Sequence, residues 1–179
     1  MDLSGVIAGD LFLYKVADSK ALPDASFLKR LRRELDVALK KSHDNQEYYA
    51  VLGEVVWLYD NAGLTKEAYE FCLKGIKKST DTSWLYARAA GLVEKLGDKK
   101  TALKYYKKSY EGALGFSSQL QWGQWYIEKL IEHTPKNEKL IKKLSLEVLE
   151  KSLKQSDSFH GRNKRSWGWV KEVLVKWNK

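Results

Sequence analysis

Residues 49–63 read YAVLGEVVWLYDNAG and residues 83–97 read SWLYARAAGLVEKLG, so one pattern is written twice with a spacing of 34 residues. Each copy is apolar at helical intervals and ends at a glycine, Gly63 or Gly97. A second apolar segment follows each glycine and contains Ala68 or Ala102 at the same distance. A fixed period of this length is typical of stacked helical repeats, because each helix pair buries its apolar face against the next. The sequence therefore predicts an all-α fold.

Helical periodicity extends to both sides of the repeated pattern. It predicts helices over 27–42, 47–61, 66–79, 83–96, 99–112, 116–133, 136–154 and 159–178, and a short helix over 6–18. Ser26 and Thr65 are predicted to cap the helices that follow them. Gly63 and Gly97 are predicted to end helices in the left-handed conformation, which glycine adopts without steric cost.

The length of 179 residues favours a single domain. Its predicted parts are N-terminal helices in 1–45, a first repeat in 46–82, a second in 83–116, a degenerate third in 117–156 and a capping helix in 157–179. The third unit has Ile131 where the period would place a glycine, so its first helix is predicted to be about one turn longer. The last helix is predicted to cover the apolar end of the stack.

The two copies resemble the tetratricopeptide repeat over residues 49–114. Beside the glycines and alanines, the resemblance is carried by Leu52, Val55, Val56, Tyr59 and Cys72 in the first copy and by Tyr86, Ala89, Ala90, Val93 and Tyr106 in the second. The proline that closes the family pattern is replaced by Thr80 and Leu114. The resemblance implies a right-handed superhelical stack of antiparallel helix pairs with a C-terminal capping helix. An ordinary antiparallel helix bundle is the alternative.

The resemblance also implies a concave groove, lined by the first helix of each pair, that binds a peptide or protein partner. The implied groove residues are Ala50, Gly53, Trp57, Asp60 and Asn61, then Trp84, Ala87, Arg88, Gly91, Glu94 and Lys95, and then Leu120, Gln124 and Ile127 in the third unit. Trp57 and Trp84 either anchor the partner or close the stack. The basic residues with which one subtype clamps peptide C-termini are missing, apart from Arg88. The sequence thus favours a non-catalytic protein–protein interaction scaffold.

The formal charge of +9 allows a second interpretation. Residues 26–42 carry six basic and two acidic side chains, and residues 151–179 carry eight basic and two acidic ones. A basic patch of Arg30, Arg33, Arg162, Lys164 and Arg165, with aromatic residues beside it in 159–169, would suit a nucleic-acid-binding helical repeat protein. The alternative is that the charges are solvated while Trp167 and Trp177 belong to the core.

Motifs for catalysis, metal or cofactor binding are not found in the sequence. The three histidines lie in separate junctions between predicted helices. Glu132 and His133 are neighbours in sequence that are not expected to face each other, so no metal site is predicted. Phosphate-binding loops and nucleophile–base arrangements are also missing. Cys72 is the single cysteine and is predicted to pack as a small apolar residue in the core. The sequence therefore predicts no enzyme activity and no cofactor.

Residues 1–25 lack the pattern of a signal peptide, and the apolar run over 11–14 is too short to span a bilayer, so the cytoplasm is favoured. The segment from Ala87 to Trp125 also resembles helical extensions that follow a thioredoxin-like domain in some bacterial disulfide-exchange proteins. That resemblance implies an accessory domain of a larger thiol-disulfide exchange protein, whose redox chemistry would lie outside this chain.

Overall fold

The computed structural model describes residues 23–42, 44–79, 81–156 and 158–179, so the helix predicted over 6–18 lies outside the described residues. Within these ranges the chain forms eight α-helices and no strand, which confirms the all-α prediction. They are α1 (Ala25–Lys41), α2 (Asn45–Asn61), α3 (Thr65–Lys78), α4 (Ser83–Lys95), α5 (Lys99–Glu111), α6 (Phe116–His133), α7 (Glu138–Leu153) and α8 (Gly161–Trp177). None of the eight combines the length and the apolar composition that a passage through a lipid bilayer requires.

Five of the eight predicted helix starts differ from the structure by one or two residues, and two predicted caps are wrong. Asp24, and not Ser26, caps α1, because its carboxylate accepts the backbone N–H of Phe27 at 2.8 Å and also the Ser26 hydroxyl at 2.7 Å. A carboxylate is favoured there, since it also complements the positive end of the helix dipole. Thr65 is the first residue of α3 rather than its cap, and its hydroxyl donates to Asp60 at 3.0 Å.

The two glycines that follow α2 and α4 have the predicted left-handed backbone, with φ of 81° at Gly63 and 94° at Gly97. The residue after each glycine donates its N–H to a carbonyl five residues earlier, from Leu64 to Tyr59 and from Asp98 to Val93. Such a bond satisfies a carbonyl that the helix end would otherwise leave without a donor. The two copies of the repeat therefore end their first helices with the same hydrogen-bonded turn.

The chain divides into two compact units, of which one ends at Lys78 and the other begins at Ser79. The boundary falls in the link between the first and second repeats. In the first unit α2 packs against α1 and α3. Lys78, at the end of α3, lies over the ring of Tyr48, near the start of α2, so these two helices are antiparallel. The core of this unit includes Leu31, Leu35, Leu52, Leu58 and Cys72, which confirms the core position of the cysteine.

In the second unit α5 packs against both α4 and α6, and α6 also packs against α7. Lys108, near the end of α5, lies over the ring of Tyr86, near the start of α4. Gly123, in the first half of α6, faces Val148, in the second half of α7. The helices of each pair are therefore antiparallel, and their core is built on Leu85, Ala89, Ala90, Ala102, Leu120, Ile127 and Ile141.

The last helix, α8, packs against α6. Arg162, at the start of α8, donates to the side chain of Gln121, near the start of α6. At the other end, the indole N–H of Trp177 donates to the carbonyl of Pro135, just beyond α6, at 3.0 Å. These two contacts make α8 parallel to α6. The helix contributes Val170, which is 1% exposed, to the core of the second unit.

Candidate functional site

Trp57 lies on the exposed side of α2, one turn after the exposed Glu54, and 43% of its surface is accessible. Helical spacing places Ala50, Gly53 and Asn61 on the same face, with Ala50 exposed and the other two half-buried. The Asn61 amide donates to the carbonyl of Trp57 at 2.8 Å. Asp60, at the edge of this face, accepts the Thr65 hydroxyl and so fixes the turn after the helix. We call the surface formed by Ala50, Gly53, Trp57 and Asn61 the α2 face. It presents an exposed aromatic side chain beside small residues.

The groove residues implied for the second copy are not equally accessible on α4. Arg88 and Lys95 are exposed, Trp84 and Gly91 are half-buried, and Ala87 is buried at 3% exposure. Only 16% of the Glu94 side chain is exposed, because this carboxylate is enclosed by groups of two other helices. The α4 face therefore presents positive charge beside Trp84.

In the third unit the register of the implied groove is wrong at two positions. Leu120 and Ile127 are each 1% exposed and belong to the core, while Gln124 is half-buried. The spacing of the repeat predicts the correct register for this helix. Its period of 34 residues carries Lys95 onto Lys129, which lies where α6 meets α4.

A polar cluster joins three helices of the second unit, and it consists of Glu94, Tyr106, Lys129, Glu132 and His133. Glu94 Oε1 accepts from Lys129 Nζ at 2.8 Å and from His133 Nε2 at 2.7 Å. Its Oε2 accepts the Tyr106 hydroxyl at 2.9 Å. Lys129 also donates to Glu132 at 2.7 Å. Because Glu94 and His133 lie near the ends of α4 and α6, the Glu94 cluster holds these helices parallel.

The charges of the Glu94 cluster are stabilised by hydrogen bonds against the cost of burial. Burial raises the pKa of Glu94, but hydrogen bonds from Lys129, Tyr106 and His133 outweigh it, so the pKa lies below its usual value. Burial likewise lowers the pKa of Lys129, yet hydrogen bonds to Glu132 and Glu94 leave it raised. Burial, together with the hydrogen bond to Glu94, raises the pKa of Tyr106. The cluster therefore contains a carboxylate, an ammonium and a neutral phenol at neutral pH.

The expectation that Glu132 and His133 do not face each other is wrong. A carboxylate oxygen of Glu132, a ring nitrogen of His133 and a carboxylate oxygen of Glu94 all lie within 4.8 Å of one another. Lys129, one turn earlier on α6, draws the Glu132 carboxylate toward the cluster through its ion pair. The same ammonium binds Glu94, so the protein supplies the cation of this cluster itself. The His133 side chain is only 3% exposed, and its Nδ1 has no hydrogen-bond partner among the described residues.

The stability that the Glu94 cluster contributes is expected to depend on pH at both ends of the scale. A lowered carboxylate pKa contributes stability above the unfolded value of about 4.3, and the contribution is lost as the pH falls through the folded pKa. A raised lysine pKa contributes stability below the unfolded value of about 10.4 and loses it as the pH rises through the folded pKa. The difference in unfolding free energy between wild type and Glu94→Gln should be flat at neutral pH and shrink at both extremes. Urea denaturation at a series of pH values measures it, and a difference that stays constant through the acid range would contradict the assignment.

The residues of the predicted basic patch are distributed over both units. Arg30 and Arg33 are on α1, where Arg30 lies over the ring of Phe27 and Arg33 pairs with Glu34 at 3.5 Å. Arg162, Lys164 and Arg165 are exposed on α8. The predicted patch therefore consists of two basic surfaces, one on each unit.

The described residues thus offer two candidate binding surfaces, the α2 face around Trp57 and the basic face of α4. The Glu94 cluster fixes the α4 face with respect to α6. A third exposed surface, on α8, carries positive charge. Comparison of the chain with models of known protein families, with curated proteins and with solved structures finds no match.

Proposed function

We propose that this chain is a non-catalytic interaction module of the tetratricopeptide type, which binds an extended peptide or protein segment on the α2 face, the first helix of its first repeat. The half-exposed indole of Trp57 on the α2 face carries this proposal. An exposed tryptophan provides a large apolar contact area at a small cost in side-chain entropy, which is why tryptophans are frequent anchors of interfaces.

The surroundings of Trp57 suit the close approach of a partner backbone. Gly53 lies one turn before Trp57 on the same face, and Ala50 lies about one turn before Gly53. Their small side chains leave room beside the indole, so a bound chain could contact the ring and the helix together. Asn61, at the other end of the face, adds amide donor and acceptor groups that match a peptide backbone.

The α4 face, on the second unit, would by itself favour a bound segment with acidic side chains. Arg88 and Lys95 are exposed there, at a spacing that puts them on the same side of the helix as Trp84. The nearby acidic group, Glu94, is neutralised by Lys129. Opposite charge on the partner would guide association and select among partners more than it would raise affinity.

The single thiol supports a role in binding rather than in redox chemistry. Cys72 is fully buried in α3, and thiol exchange requires a thiolate that a second sulfur can reach. The accessory role beside a thioredoxin-like domain stays a prediction, in which this chain would again act by binding.

Replacing Trp57 with Ala is expected to weaken peptide binding about tenfold or more, because an anchor tryptophan contributes a large share of the binding energy of a small interface. The probes are peptides selected from a random display library on the wild-type chain. Isothermal titration calorimetry then gives the dissociation constant of each peptide for both proteins.

Trp169→Ala is the matched control, because Trp169 is exposed to a similar extent, 47%. It lies on α8, more than 100 residues after the α2 face in the sequence. It should leave the affinity of the selected peptides unchanged. The proposal fails if Trp57→Ala binds the peptides as tightly as wild type, or if selection enriches no peptide. Helical circular dichroism of both variants confirms that they are folded.

A further inference from the structure

The last helix divides its side chains between two faces. The inward side, which packs on α6, consists of the buried Asn163 and Val170 and the half-buried Ser166, Trp167, Val173, Leu174 and Trp177. The outward side consists of exposed residues, Arg162, Lys164, Arg165, Gly168, Trp169, Lys171, Glu172, Val175 and Lys176. Two of the three tryptophans thus serve packing, whereas Trp169 is turned to solvent with 47% of its surface exposed.

Basic residues predominate around Trp169 on this outward face, although the acidic Glu172 lies three residues after it on the same side of the helix. Arg165 is four residues before Trp169 and Lys176 is seven residues after it, so all three fall on one strip of the helix. Arg162 extends the strip by another turn, although part of its guanidinium is bound to Gln121. In all, α8 carries five cationic side chains and one acidic one, Glu172.

These cations are also free to bind anions. Within the part of the chain that the structure describes, no carboxylate forms an ion pair with Lys164, Arg165, Lys171 or Lys176. Among the described residues, these four cations are therefore left without an ion-pair partner. A polyanion that binds here would release its counterions without first having to break a salt bridge.

We propose that the outward face of α8 binds single-stranded nucleic acid, with a base stacked on Trp169 and neighbouring phosphates bound by Arg165, Lys176 and Arg162. An exposed indole between cations provides the two components of such binding, which are a stacking surface and attraction for the backbone. A single strand fits better than a duplex because its bases are free to leave their own stack. The recognition has little dependence on sequence, since every base has an aromatic face.

The geometry of α8 favours a single strand over two other anionic partners. A helix that binds a membrane surface needs a broad apolar face for the lipid, and the apolar face of α8 is already packed on α6. An acidic peptide would pair with the same cations, but its carboxylates offer no planar base to stack on the exposed indole of Trp169.

The test uses fluorescence anisotropy with a labelled oligothymidylate and an oligouridylate of about 12 nucleotides at low salt. Wild type should bind both, and three or four phosphate contacts predict a slope of about −2 to −3 when log K is plotted against log salt concentration. Trp169→Ala should weaken binding by about fivefold or more through the loss of one stacked base. Arg165→Gln should weaken binding and reduce the slope by about 0.7.

Lys100→Gln, which removes an exposed cation of α5, is the control for charge alone and should change affinity less than Arg165→Gln does. No binding at low salt would overturn the proposal, and so would binding that Trp169→Ala leaves unchanged. Equal or tighter binding to phosphatidylserine vesicles or to polyglutamate would assign the face to a membrane or an acidic protein instead. Because Trp57 is not involved, failure here is distinct from failure of peptide binding on the α2 face.

Discussion

Glu94→Gln is expected to lower the unfolding free energy of the second unit by about 2–3 kcal/mol. The carboxylate accepts three hydrogen bonds, and one of its donors, His133, is only 3% exposed. An amide would accept fewer of these bonds and would direct its own N–H groups at other donors. Of its two ion pairs with described residues, Lys129 would keep the one with Glu132. Urea denaturation followed by circular dichroism measures the loss.

Glu147→Gln is a closely matched control for this change. Glu147 also accepts from a tyrosine, Tyr110 at 2.9 Å, and pairs with a lysine, Lys151 at 3.1 Å. It differs in exposure, since 43% of its side chain is accessible and no histidine takes part. The expected cost is therefore at most about 1 kcal/mol. Equal losses for the two variants would show that burial of the Glu94 cluster adds nothing to its stability.

Gly123→Ala is expected to destabilise the second unit by about 1–3 kcal/mol, although alanine is the better helix former. A β-carbon at this position would lie 2.8 Å from Val148 Cγ2 and 3.1 Å from Tyr110 Cε2. Neither neighbour can move easily. Val148 is buried, and Tyr110 is held through its hydroxyl by Glu147 and Lys151. The added methyl group would therefore push α6 away from α5 and α7. Thermal and urea unfolding measure the effect.

Gly168→Ala is the control, and we expect it to change the unfolding free energy in the opposite direction. Gly168 is an exposed residue within α8, and a β-carbon there would meet no atom within 4 Å. Only the intrinsic preference for alanine remains, so the variant should be more stable by up to about 1 kcal/mol. If both alanine variants gained stability, the close approach of α6 to its neighbours would be refuted.

Local chemistry in the sequence was sufficient to predict the eight described helices with their ends to within two residues, though not the caps of α1 and α3. Gly63 and Gly97 end α2 and α4 because the turn requires a positive φ, which these glycines adopt in the structure. Phe116 and His133 bound α6 as predicted, since the apolar period stops on either side of them. The core position of Cys72 also follows from the helical period. Such features depend on residues a few positions apart.

Assigning side chains to surface or core was less successful wherever two helices compete for the same residue. The resemblance implies that Leu120 and Ile127 line a groove, but both are buried, and the 34-residue period carries the core residue Val93 onto Ile127. Trp57 and Trp169 are half-exposed, whereas Trp167 and Trp177 face α6. The sequence left open whether Trp57 anchors a partner or closes the stack. Its exposure in the structure supports the first interpretation.

The sequence by itself determined that this protein is all-α and that one helix–turn–helix pattern is written twice, because helical periodicity and glycine turns act over short distances. Only the tertiary structure decided that Glu94 meets Tyr106, Lys129 and His133, groups that are 12 to 39 residues away along the chain. The physical reason is that a buried carboxylate requires hydrogen-bond donors nearby in space. Helices that pack side by side bring such donors from distant positions of the chain, and the sequence spacing of these positions does not predict the contact. The same packing turned Trp169 outward and left the cations of α8 unpaired among the described residues.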